Sequence, residues 1–228
     1  MSAQTVDTGA EQGLRARKKQ QTREKISHQA TLLFLERGFD KVTIADVAAA
    51  AEVAKMTVTN YFPRKEDLAL DLGEVFVDQL GRTVRERVAG ESALAALRRA
   101  YLAAVADQDP VIGFSGPEFA GLIAGSPALV ARLREFHEER EAALARTLAI
   151  ETDTAPGDIT PRVAAALLGG VHRVLFDETM RRTLAGESND DIATALRGYI
   201  EVAFAALEPS LADYAVRAAD RSEPVTIG

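Results

Sequence analysis

The chain of 228 residues carries 34 acids against 27 bases and 3 histidines, a formal net charge of −7, with 47% hydrophobic residues and no cysteine. A core of that size excludes general disorder, and the missing cysteines exclude disulfides and thiolate metal sites. No apolar run approaches the ~20 residues of a membrane span and residues 1–14 lack an apolar signal core, so a cytoplasmic protein with no membrane partner is expected.

Residues 1–14 have no periodicity and read as a disordered tail. A helix fits 15–37, with Ile26, Ala30, Leu33 and Phe34 on one face and Gly38 as its stop. Thr43 precedes Ile44, Val47, Ala48 and Ala51, with Asp46 three residues on, which is a capping-box pattern for a short second helix. Glu52 and Val53 form the turn, residues 55–62 a third short helix, and Pro63 ends it. Between residues 15 and 65 eleven bases face five acids, a net +6, which leaves −13 for the rest. A basic head on an acidic body points to nucleic acid at one end. The run from Arg15 to Lys25 either follows a phosphate backbone or is a solvated face.

A long helix is expected from about 65 to 88, apolar at Leu68, Leu72, Val75 and Phe76 and again at Leu80 and Val84. Two apolar faces make it central, touching head and body. Further helices are expected near 92–107, 118–124, 127–151, 161–185 and 189–207, with a short one after Pro209 and a disordered tail at 221–228. No alternating strand pattern occurs. The fold class is therefore all-α, with a three-helix helix-turn-helix head at 15–65 and an all-helical body at 66–220.

The third helix carries the functional signal. A side chain entering a DNA major groove about 12 Å wide must be short and able to hydrogen-bond. Thr57, Thr59 and Asn60 meet that need, Lys55 can reach a base or a phosphate, and Val58 and Phe62 hold the helix from behind. The whole stretch "VTIADVAAAAEVAKMTVTNYFPRKEDL", residues 42–68, resembles the DNA-binding signature of TetR-type transcriptional regulators. The resemblance implies a homodimer whose subunits join a helix-turn-helix head to a helical body that binds a small effector. Carried over by position, Thr43, Lys55, Thr57, Asn60, Tyr61 and Lys65 fall where such proteins touch DNA. Met56 stands on the same helix where a small or polar residue is usual. Glu52 replaces a turn glycine, and Ala54 and Arg64 replace capping residues.

Helical spacing and side-chain chemistry place expectations on the body. The helices at 161–185 and 189–207 would pair with a second copy as a four-helix bundle, through Val163, Leu167, Gly170, Val171 and Val174 and through Ile192, Leu196, Tyr199, Ala203 and Leu207. An effector pocket would have Phe114, Phe119, Leu122, Phe136 and Phe176 as walls, with His137, Arg140, His172 and Arg173 as polar contacts. The same aromatics also suit plain core packing. His28, His137 and His172 form no HxxxH pair, and there is no GxSxG, P-loop or GxGxxG, so no metal, cofactor or catalytic residue is expected. The expected partners are an operator duplex, a small effector and a second copy. The alternative is an all-helical small-molecule-binding protein or enzyme whose head only resembles a regulator.

Overall fold

The helix boundaries follow local chemistry almost throughout. In the computed structural model, which describes residues 8–218 and side chains from Gly13 onward, helices connected by turns account for every regular element, and no strand occurs among the described residues. Helix α1 runs Thr8–Arg37, starting seven residues before the expected 15. No proline stands in 8–14, so the packed turns around Ile26 and Phe34 propagate outward past Leu14, which is itself exposed. Residues 1–7 and the expected tail at 221–228 lie outside the described residues. Gly38 ends α1 at φ 85, a backbone conformation that glycine adopts without strain.

Helix α2 spans Ile44–Ala50 behind the complete Thr43–Asp46 capping box, and α3 spans Lys55–Tyr61. Helix α4, Lys65–Ala69, and helix α5, Gly73–Arg85, stand where one unbroken helix is expected from the sequence. The interruption is tertiary in origin. The Asp71 carboxylate accepts from Ser27 Oγ, and its carbonyl accepts from the Arg23 guanidinium at 3.2 Å, which draws residues 70–72 out of helical geometry. The rest follows as α6 Ala93–Ala106, α7 Pro117–Ala124, α8 Pro127–Glu151, α9 Thr160–Leu184, α10 Asn189–Ala205 and α11 Glu208–Leu211.

Two compact units result. One holds the described residues up to Asp71 together with Leu122–Val130, and the other holds Leu72–Gly121 with the residues from Ala131 on. In the first, Ile26, Phe34, Val47, Val58, Phe62 and Leu68 are buried and bring α1–α4 together. In the second, α10 lies against both α6 and α9, and Leu97, Leu144, Leu148, Leu168, Ile200 and Phe204 are fully buried. Each such side chain contributes about 1.5–3 kcal/mol. Ile192 and Leu196 belong to this core at 0% exposure, so they are not available to a second copy as expected from their spacing.

The end of the chain is fastened to this unit. Arg87, 2% exposed, donates through Nε to the Ala215 carbonyl at 3.0 Å and meets the Val84 carbonyl and, at 2.6 Å, Glu151 Oε2. Arg217 in turn donates to the carbonyls of Arg85 and Arg87 at 2.7 and 2.8 Å.

Candidate nucleic-acid interface and ligand cluster

Helix α3 is held from one side only. Val58 and Phe62 are fully buried, while Lys55, Met56 and Asn60 are exposed and Thr57, Thr59 and Tyr61 half-buried. Met56 is 70% exposed, unusual for its type, and it extends the outward face. Thr59 donates its hydroxyl back to the Met56 carbonyl at 3.1 Å, so that side chain offers an acceptor outward rather than a donor. At the start of α2, Thr43 donates to Asp46 at 2.6 Å and accepts the Asp46 amide at 3.2 Å. Hydrogen bonds from the Thr43 hydroxyl and amide hold the Asp46 carboxyl below the usual range. Lys65 is half-buried with its ammonium 4.2 Å from the Phe39 ring centre.

Two features escaped the sequence reading. Arg23, expected along a phosphate backbone or in a solvated face, turns inward: it stacks 4.4 Å over Phe62 and donates to the Tyr61 carbonyl at 3.1 Å, clasping the end of α3. Lys25 pairs with Glu52 at 3.0 Å. Glu52 itself sits at φ 55, the left-handed conformation for which a turn glycine is suited, at a cost of about 1 kcal/mol. The departure from the usual glycine was the signal for it. No side-chain cap forms at Ala54 or Arg64.

On the body, α9 and α10 expose apolar side chains beyond what a solvated face needs. Val163, Leu167, Val174, Tyr199 and Val202 are 40–73% exposed, and Val174, Tyr199, Val202 and Ala203 line one groove. Val202 was not among the expected contacts. Within the chain neither Gly169 nor Gly170 is required by close packing, since an added Cβ would lie 3.5 Å from Glu141 or touch nothing.

Behind that face the body gathers four of the expected pocket residues. Phe76, His137 and Phe176 meet edge to face at 5.0, 5.8 and 5.3 Å between ring centres. Arg140, 3% exposed, stacks 4.1 Å over Phe76 and donates to His137 Nδ1 at 3.0 Å. His172 contacts Tyr101 at 5.1 Å and Phe204 at 5.7 Å, and its Nδ1 binds the Leu168 carbonyl at 2.9 Å. Burial, then the Arg140 charge, pushes both His137 and His172 down to about 3, so both are neutral near pH 7. Burial lowers Arg140 itself to about 10. Phe136 rests on Gly73, where a Cβ would come within 2.3 Å of the ring, and Arg132 stacks on its other side at 3.9 Å. Phe114 is buried in the main core, Phe119 is half-buried, Arg173 is exposed, and Leu122 belongs to the first unit. Tyr101 and Phe76 are cluster members the sequence reading did not nominate. Among the described residues no group of His, Asp or Glu is placed to hold a metal, and no helix is long and apolar enough to cross a membrane.

Known proteins converge on one assignment. Residues 26–72 match the model of bacterial regulatory proteins, tetR family. The chain is 30% identical over 205 residues to the HTH-type transcriptional regulator TcmR of Streptomyces glaucescens, spanning 87% of this chain and 88% of that protein. It is 36% identical over 62 residues to the HTH-type transcriptional repressor DhaR of Mycobacterium sp. (strain GP1), covering 27% of this chain and 31% of that one. Both relatives are transcriptional regulators, not enzymes. The fold is shared with the SmeT–triclosan complex, at a TM-score of 0.53 and 16% identity over 90% of this chain and 98% of the other. With likeness to a regulator running through head and body alike, the chain belongs to the tetR family and is a DNA-binding transcriptional regulator.

Proposed function

We propose that this regulator is a homodimeric repressor, released from a near-palindromic operator when a small molecule binds its body. The observation that carries the reading is α3, a helix fixed from behind by Val58 and Phe62 with Lys55, Met56 and Asn60 turned outward. In this reading Asn60 and Thr57 contact base edges, the Met56 thioether meets a thymine methyl, and Lys55 reaches a guanine or a phosphate. Thr59 supplies an acceptor, Tyr61 and Lys65 take phosphates and fix the register, and Thr43, whose amide and hydroxyl both donate to Asp46, sets the start of α2. The exposed groove of α9 and α10 forms the dimer contact, with Val202 joining the expected Tyr199 and Ala203 while Ile192 and Leu196 face the core. The name of DhaR supports repression, and the triclosan complex supports a small molecule in a body of this architecture.

Two recognition helices on a two-fold axis must meet major grooves about 34 Å apart, which sets the half-site spacing. The test is selection of bound duplexes followed by titration at fixed salt. Asn60→Ala should cost about 1–3 kcal/mol and relax base choice, whereas Tyr61→Ala should weaken all sequences alike. Unaltered operator affinity in both variants would remove α3 from the interface.

A further inference from the structure

Among the described residues of the body five buried side-chain donors lack an acceptor, and three of them belong to this one cluster: Arg140 Nε, His137 Nε2 and the Tyr101 hydroxyl. Their donor character follows from the contacts around them. A guanidinium only donates, so His137 Nδ1 accepts from Arg140 at 3.0 Å and the imidazole proton sits on Nε2. Thr179, beside Tyr101, spends its own proton on the Leu175 carbonyl at 2.9 Å and lies outside hydrogen-bond geometry with the phenol. No carboxylate among the described residues pairs with Arg140; Asp177 is exposed and acts on it only at a distance. With His137 and His172 neutral, the group holds one positive charge and several unmade bonds in a setting where folded proteins rarely leave either. Every deficit is for an acceptor, and the unpaired Arg140 charge favours a negative one. The surrounding rings of Phe76 and Phe176 present faces and edges suited to a flat apolar body.

We propose that this cluster binds a planar aromatic anion through one acidic oxygen, a carboxylate or a phenolate, seated between Arg140, His137 and Tyr101. The proposal rests on the reading of the body as the effector-binding part of the regulator. Beside Tyr101 and His172 the free space is about 10 Å³, room for one water, so the ligand enters by displacing side chains.

The test uses the full-length protein at neutral pH, calorimetry, and three probes: 2-naphthoate, 2,4-dinitrophenolate, and 2-naphthamide as the neutral counterpart of the first. At least one anion should bind on the order of tenfold or more tighter than the amide, and the two anions distinguish carboxylate from phenolate. Arg140→Met should erase the preference, Arg140→Lys should keep most of it, and Tyr101→Phe should weaken the anion without touching the amide. The lysine and phenylalanine variants serve if the methionine variant does not fold. Equal binding of the amide, failure of both anions to bind, or an undiminished anion preference in Arg140→Met overturns the proposal. Operator release is read in parallel. If the amide binds and releases DNA while the anions do not, the effector role stands and the anion site falls. If an anion binds with the expected Arg140 dependence and DNA retention never changes, the site stands and the effector role falls.

Discussion

Acid should loosen the body through His172. Its imidazole is 3% exposed and held neutral, with its titration pushed down to about 3 by burial first and the Arg140 charge second. In the unfolded chain the same group titrates near 6.5. Between those values the unfolded chain binds a proton that the folded one refuses, so stability is intact above about 6.5 and falls as pH drops. At about pH 5 the loss is roughly 2 kcal/mol, since each unit below 6.5 contributes about 1.4 kcal/mol. That figure needs only a folded titration well below 5. His137, partly exposed and shifted the same way, adds a smaller loss, and Asp177, whose carboxyl is raised by burial, opposes it in part. The assay is urea unfolding of the protein and of His172→Gln at about pH 7.5 and about pH 5. The substitution should shrink the acid-induced loss by roughly 2 kcal/mol, whatever it costs at neutral pH. Identical pH dependence in the two proteins would refute a neutral buried His172.

Other expectations follow from single contacts. Val202→Asp puts a charge on the most exposed apolar position of the α10 groove, and sedimentation should then show monomers where the parent protein dimerises. Ala54→Ser supplies the missing acceptor at the start of α3, where the backbone is already extended at φ −70 and ψ 147, and urea unfolding should show a gain of about 1 kcal/mol. Glu151→Gln leaves the Arg87 guanidinium buried without its counter-charge; because Glu151 is itself 26% exposed, a loss of about 2 kcal/mol is expected in the same measurement.

Much of this architecture was legible because local signals agreed with one another. Helix α8 begins at Pro127 and ends at Glu151 as its punctuation indicates, and the Thr43 capping box formed as spelled. The interrupted helix at 70–72 was not legible, because its cause lies some forty residues away in Ser27 and Arg23. On α10, helical spacing identified apolar stripes but could not say which belonged to the protein's own core: Ile192 and Leu196 went inward, Tyr199 and Val202 outward. Arg140, expected as a pocket contact, stands beside Glu138, Glu139 and Glu141 as a solvated arginine would; its packing against Phe76 is what shows it to be buried. In α3 the outward polar residues and the buried anchors Val58 and Phe62 lie within eight residues, so its two faces were readable from spacing alone.

The clasp on Arg87 ties the fate of the body to the last stretch of the chain. Synthesis proceeds from the N-terminus, and the acceptor carbonyl of Ala215 is made 128 residues after the guanidinium it satisfies. Until then a charge destined for the interior has only part of its cage and remains hydrated, keeping the neighbouring ends of α5 and α8 from closing. A chain ending before Ala215 would leave the Arg87 Nε without the carbonyl that satisfies it. The fastening thus makes completion of the body's fold wait for completion of the chain through Ala215.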